Sequence, residues 1–145
     1  MSRAALHFAA RSLGISAVGP ALVSQDAISM RYDVDPETGV VRRPSHDLFG
    51  QSISGRILVF RQTKGGVATG WALLHLASLG TAPRGLVCDV VNPVFVQGAV
   101  LAGIPIMDGF ESSPREFVMT GDLVEIDGAR RTLRILQRCD EASTP

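Results

Sequence analysis

The chain has 145 residues, 46% hydrophobic and 19% charged, which is enough apolar material for one domain's core and too much for wholesale disorder. Lysine and arginine number 14 and aspartate and glutamate 14, so the strong basic footprint of a phosphate-neutralising nucleic-acid binder is excluded. No apolar run approaches the roughly 20 residues that span a bilayer. Two cysteines, Cys88 and Cys139, are too few for a disulfide scaffold of this length or, alone, for a four-ligand iron–sulfur cluster.

These bounds predict one soluble domain over residues 1–145, with residues 140–145 a loose tail. Met1 to Gly19 holds Arg3 and Arg11 and no acid, loosely like a transit peptide, but it lacks a continuous apolar core and runs straight into structured sequence. The expectation is therefore a cytoplasmic protein with no membrane segment.

In chain order, Ser16 to Ser24 is a short apolar stretch around a Gly19-Pro20 break. Asp35-Pro-Glu-Thr-Gly39 is dense in turn residues, because proline presets one backbone angle and glycine accepts a positive φ. After Val40 and Val41, residues 42–47 read as an exposed loop, and Gly55 to Phe60 is the strongest early strand. Thr63-Lys-Gly-Gly66 is a small-residue loop leading into a helix over Ala68 to Leu79. Trp71, Leu74 and Ala77 or Ser78 define one face of it, widened by Leu73, Leu76 and Leu79, with Gly80 as cap and Pro83 as stop. Gly85 to Val91 reads as a buried strand containing Cys88. Asn92-Pro93 caps a short helix ending near Gly103, and Ile104 to Met107 is a third strand. Leu123 to Ile126 and Thr132 to Leu136 then flank Asp127-Gly128, a hairpin signal with a loop longer than two residues. The centre is thus an α/β pattern with parallel pairing, inserted as a layer on a small barrel-like β body.

The segment richest in chemical potential is Thr63 to Trp71. Unpaired amides at a helix start carry partial positive charge and hold carboxylates or phosphates, and Lys64, the single lysine, adds an ammonium beside Gly65-Gly66. Read locally, a plain turn with a solvated lysine competes with that assignment, because loop type does not establish function. The Walker spacing is absent. His7, His46 and His75 show no metal-ligand spacing, and His46-Asp47 is an acid–base pair only if the fold brings substrate to it. Ser24 and Ser29 are candidates to face a cleft, and Asp108-Gly109 follows a strand's carboxyl end, where α/β sites form. No nucleophile–base–orienter set can be assembled, which disfavours an independent hydrolase.

Several segments in order resemble the small subunit, or swivel domain, of the aconitase X group. They are Gly19 to Ser24, Val34 to Gly39, His46 to Gln51, Gly55 to Val59, and Asn92-Pro-Val94 through Gly103-Ile-Pro105, within residues 9–110. The resemblance implies a swivelling β/β/α domain like domain four of aconitase, packed on a large subunit that holds the iron or iron–sulfur centre and most active-site groups. No cofactor is expected on this chain alone. The family dehydrates small hydroxy acids: archaeal members act on phosphomevalonate, and bacterial relatives act on cis-3-hydroxy-L-proline to give pyrroline-2-carboxylate. The archaeal loop runs approximately Gly-Arg-Gly-Ser-Ser-Thr-Ser-Ser, whereas residues 63–70 here read Thr-Lys-Gly-Gly-Val-Ala-Thr-Gly. Lys64 stands for the arginine, and the candidate serine base falls on Gly66 or Val67, neither of which exchanges a side-chain proton. The general base therefore stays unassigned.

On that resemblance the expected function is the small subunit of a hydro-lyase, active only with its large partner. The smaller, less hydroxylated loop favours hydroxyproline over phosphomevalonate. A non-catalytic ligand-binding or assembly module of the same fold is the competing class. Substrate contacts are expected from Lys64, Gly65, Gly66, Val67 and Thr69, with Ser24 at the cleft rim.

Overall fold

A run such as Ile57-Leu-Val-Phe60 is apolar at every position because both faces of its strand are covered. Ile57 and Val59 point into one hydrophobic cluster, and Leu58 and Phe60 into another, following the two-residue period of a strand. Leu86 and Cys88 likewise face the cluster of Leu58 and Phe60, and Val87 the opposite one. The computed structural model describes residues 6–64 and 67–139, with the Val67 side chain outside the description, and it builds the whole fold around these doubly buried strands.

The elements are β1 (Leu6–Phe8), β2 (Arg11–Leu13), β3 (Ala17–Val23), β4 (Ile57–Phe60), α1 (Val67–Leu79), β5 (Gly85–Cys88), α2 (Pro93–Ala102), β6 (Ile106–Asp108), α3 (Pro114–Phe117), β7 (Leu123–Asp127) and β8 (Thr132–Gln137). They form a mixed α/β fold: one eight-stranded sheet, ordered β1-β8-β7-β3-β4-β5-β6-β2, with three helices. From β3 to β6 the strands are parallel; from β3 back through β7 and β8 to β1 they are antiparallel. The first and last strands of that order, β1 and β2, are separated in the chain only by Ala9-Ala10. That short link forces the sheet to curl until its two ends meet, and it is pinned by the Ala9 N–H to Arg131 and the Ala10 N–H to Gly109. One cluster, with Val59, Val87, Met107, Val124 and Leu133, fills the curl. The other lies between β4, β5, the two long helices and the irregular chain before β4.

The apparent break at Gly19-Pro20 is the middle of a continuous strand. Residues Ala17 to Pro20 pair with β7, and Ala21 to Val23 pair with β4 on the opposite side. Pro20, which donates no N–H, sits where the strand exchanges partners, the one place in a central strand that tolerates it. The Asp35–Gly39 turn forms as the residue types require, closed by the Gly39 N–H to the Asp35 carbonyl at 2.7 Å with Gly39 at φ 76°. Both helix boundaries read from the sequence hold. Gly80 has φ 77°, and Asn92 accepts the Phe95 N–H at 2.8 Å ahead of Pro93.

Four expectations are corrected. The strand starting at Gly85 stops at Cys88, so that Asp89 to Val91 leave the sheet. The strand expected from Ile104 starts at Ile106. The core face of α1 is Thr69, Leu73 and Leu76; Trp71 is 63% exposed and Leu79 also lies outside. The N-terminal stretch supplies β1 and β2, which the sequence reading left unassigned. The expected tail at residues 140–145 lies outside the described residues. Burial pushes the Cys88 thiol far up, with the Asp108 and Asp89 charges adding to it, so it stays protonated in the core. Cys139 is exposed.

The helices α1 and α2 meet backbone to backbone at Gly70 and Gly98. A Cβ placed on Gly98 would lie 2.6 Å from the Gly70 Cα and 2.7 Å from its carbonyl oxygen. Gly98→Ala gains about 1 kcal/mol of helix propensity but drives the helices apart, an overpacking cost of about 1–3 kcal/mol. Chemical denaturation should show the variant less stable than wild type. An unchanged or raised midpoint contradicts the close approach.

Candidate functional site

Parallel strands β3 to β6 deliver their carboxyl ends to one edge of the sheet, and α1 and α2 begin there, so helix N-termini and strand ends share a rim. The charged and hydroxyl groups of that rim come from strand ends and following loops, and most are already committed to one another. Arg11 on β2 donates to both oxygens of Asp108 at 2.9 and 2.6 Å, and Asp108 also accepts the Val91 N–H at 3.2 Å. Asp89, just past β5, accepts from Arg115 Nε and Nη2 at 3.1 and 2.6 Å and from Ser113 at 2.7 Å. The same guanidinium reaches Gln25 Oε1 at 2.5 Å, which ties α3 to the end of β3. Each carboxylate pushes its partner guanidinium's pKa up, so both arginines are permanently charged.

Ser24, fully buried at the end of β3, donates to Asp47 Oδ1 at 2.7 Å and accepts the Asp26 N–H at 3.1 Å. Asp47 also accepts the Gln25 N–H at 2.7 Å. His46 and Asp47 are therefore brought to the rim, beside Asp26. Among the described residues these three are the group close enough to share a metal ion. Their geometry does not suit one. His46 Nδ1 lies 3.1 Å from the Leu48 amide nitrogen and 3.2 Å from Asp47 Oδ1, and Nε2 lies 3.1 Å from the Ala27 carbonyl. Both ring nitrogens are already engaged by groups of the protein itself.

Lys64 differs from the other rim cations. Its Nζ lies 3.4 Å from Asp33 Oδ2, and Arg43 Nε bonds the other oxygen of the same carboxylate. Asp33 is 0% exposed and also accepts the Ser29 N–H at 2.9 Å, which is where Ser29 is used. Burial raises the Asp33 pKa; the Arg43 hydrogen bond, the Ser29 amide and the Lys64 and Arg43 charges together outweigh it and hold the carboxyl below its usual range. Two half-exposed cations share one buried carboxylate, so this corner of the rim keeps a net positive charge. The backbone around Lys64 is fixed as well: its N–H bonds the Ile28 carbonyl at 2.9 Å, and its carbonyl accepts the buried Thr69 hydroxyl at 2.9 Å. Asn92, the cap of α2, donates to Thr63 at 3.1 Å and links the two helix starts.

Of the residues singled out from sequence, Lys64, Thr69 and Ser24 fall on or beside this rim. Gly65, Gly66 and the Val67 side chain lie outside the described residues. His75 is on an exposed turn of α1, and His7 stacks on Phe117 at 3.7 Å, with burial lowering its pKa. Sequence reasoning missed Asp33 with Arg43, and Asp89 with Arg115. The strand-end argument that marked Asp108 would have marked Asp89 had the strand been ended one residue after Val87, at Cys88.

With fold and rim in view, the comparisons with known proteins are specific. The chain belongs to the aconitase X swivel domain family, whose model matches residues 8–135, through the closing hairpin and beyond the 9–110 span of the resemblance. Among curated relatives, the phosphomevalonate dehydratase small subunit of Methanocella arvoryzae is 39% identical over 118 residues, covering 81% of this chain and 89% of that one. The protein of the same name from Pyrococcus furiosus is 32% identical, covering 86% and 90%. Among solved structures, aconitase X of Thermococcus kodakaraensis in its holo form superposes with a TM-score of 0.85 at 30% identity, over 92% of this chain and 99% of that one. Among the described residues no helix is long and apolar enough to cross a membrane.

The depressed Asp33 pKa makes a signed prediction. A carboxyl held below its unfolded value of about 3.9 contributes stability above that pH and loses it as pH falls through the lower folded-state value. Asp33→Asn should cost about 1–3 kcal/mol at neutral pH, discounted for the solvent exposure of its two partners. Its unfolding free energy should converge on wild type in acid. A constant difference across the acid range contradicts the ion-pair account.

Proposed function

We propose that this chain is the small subunit of an aconitase X hydro-lyase, active with a large subunit, and that phosphomevalonate is the substrate to which the pair is matched. The observation that carries this reading is the 39% identity to a protein named phosphomevalonate dehydratase small subunit across 89% of that protein's length. It moves the preference away from hydroxyproline, which the small loop had favoured. What still speaks for cis-3-hydroxy-L-proline is the lack of side-chain hydroxyls at Gly66 and Val67, where the archaeal loop carries serines.

The reaction is an α,β-elimination. A base removes the proton on the carbon next to the carboxylate, the β C–O bond breaks, a carbon–carbon double bond forms and water leaves. The resemblance assigns an iron or iron–sulfur centre to the large subunit, and such a centre supplies a Lewis acid for the departing hydroxyl. This chain would supply charge and position. In this reading Lys64 neutralises the substrate carboxylate and stabilises the enolate-like charge that develops on it, and the amides of Gly65, Gly66 and Val67 are the expected further donors. The buried Thr69 hydroxyl donates to the Lys64 carbonyl and fixes the backbone of Lys64, and Ser24 with Asp47 belongs to the same rim. The net positive corner at Lys64, Arg43 and Asp33 supports the reading, because an anionic substrate gains most where the cations outnumber the carboxylates.

Co-expression with the large subunit and assay against both hydroxy acids tests the proposal. Dehydration of phosphomevalonate by the complex, and none by this chain alone, is the expected result. Turnover of cis-3-hydroxy-L-proline instead reverses the substrate order. A stable complex that dehydrates neither overturns the hydro-lyase reading in favour of an assembly or ligand-binding module.

A further inference from the structure

A groove runs between residues 30–36, Arg42 and the outer face of α1, and the elimination makes no use of it. Its volume is about 490 Å³, its floor includes the buried Leu76, and Trp71 and Tyr32, 63% and 61% exposed, stand over it with Arg31, Arg42 and His75. Tryptophan, tyrosine and arginine together are the residue types that dominate binding energy at protein interfaces.

The charges narrow the occupant. Arg31 is placed over the Tyr32 ring, 5.4 Å from its centroid, and Arg42 Nη2 donates to the Arg31 carbonyl at 3.3 Å, so both guanidiniums are held at the groove. Among the described residues neither has an ion-pair partner, a state shared by Arg56, Arg61, Arg84, Arg131 and Arg134; what sets these two apart is that they stand together on one groove. No aspartate or glutamate lines the groove. The surface also extends too far for a small anion. Trp71 is shared with a second depression between α1 and α2, lined by Leu74, Val94 and the 62% exposed Leu101.

We propose that this groove is the docking surface of the large subunit, and that it takes an acidic segment of that partner carrying a bulky apolar side chain against Trp71. The inference rests on the proposed two-subunit reading. It has a functional corollary: Tyr32 and Arg42 directly adjoin Asp33 and Arg43 in the chain, so a segment seated here lies beside the Lys64 corner and couples docking to the geometry of the reactive rim.

The test measures association of the purified large subunit with wild type, Trp71→Ala, Trp71→Phe and the double variant Arg31→Glu/Arg42→Glu. Circular dichroism checks each fold, which these exposed substitutions should leave intact. Trp71→Ala and the charge reversal should each weaken binding by about tenfold or more, Trp71→Phe should bind more tightly than Trp71→Ala, and wild-type affinity should fall as salt rises. Folded variants that bind like wild type overturn the docking surface while leaving the two-subunit reading intact. Loss of inorganic phosphate or substrate binding with association unchanged also overturns it and makes the groove a ligand subsite. Failure of wild type to bind the large subunit overturns the two-subunit reading itself, and this inference with it.

Discussion

Strand β3 is the element on which the two halves of the molecule depend. Its first half belongs to the antiparallel group with β7, its second half to the parallel group with β4, and Pro20 marks the exchange. Gly19 serves the same crossing: a Cβ there would sit 3.3 Å from the Gly55 carbonyl, tighter than side chains normally pack. Because β3 continues into the parallel group, Ser24 emerges at the same edge as the ends of β4, β5 and β6. Because it also pairs with β7, the antiparallel group curls back over Val59 and Val87 and makes those strands doubly buried.

The rim built by that arrangement is a set of nearly balanced ion pairs. Arg11 with Asp108, and Arg115 with Asp89, each neutralise a strand-end carboxylate and clamp a neighbouring loop. Lys64 and Arg43 around Asp33 break the balance in the positive direction. An isolated domain carrying one uncompensated corner and few groups able to exchange protons fits half of a divided site better than a whole one. His46 is tied in on both nitrogens as well, Nε2 at the Ala27 carbonyl and Nδ1 between the Leu48 amide and the Asp47 carboxylate.

Much of this was legible in the residues, and what was not has physical causes. Doubly buried strands announce themselves as unbroken apolar runs, so β4 and β5 were readable. Asn92-Pro93 and Gly80 act through local backbone geometry, which sequence carries directly. The face of α1 was misread because the helix is apolar on nearly every side, from Leu73 and Leu76 inside to Trp71 and Leu79 outside, and periodicity then cannot choose. Strands β1 and β2 have three residues each and acquire their identity only by pairing with β8 and β6. The Asp33 cluster joins residues from three separate loops, so no local pattern predicts that Lys64 will share a carboxylate with Arg43. Lys64 itself stood out by being the chain's single lysine and by its place before a helix start.

The central claim is that this chain lends the Lys64 corner to a reaction completed by another subunit, and turnover of the reconstituted complex with Lys64→Ala tests it most directly. Removing one preorganised donor to a developing anion should lower kcat/KM by about 100-fold or more, with subunit association unchanged and part of the activity kept by Lys64→Arg. A fully assembled Lys64→Ala complex that turns over at the wild-type rate would contradict the account.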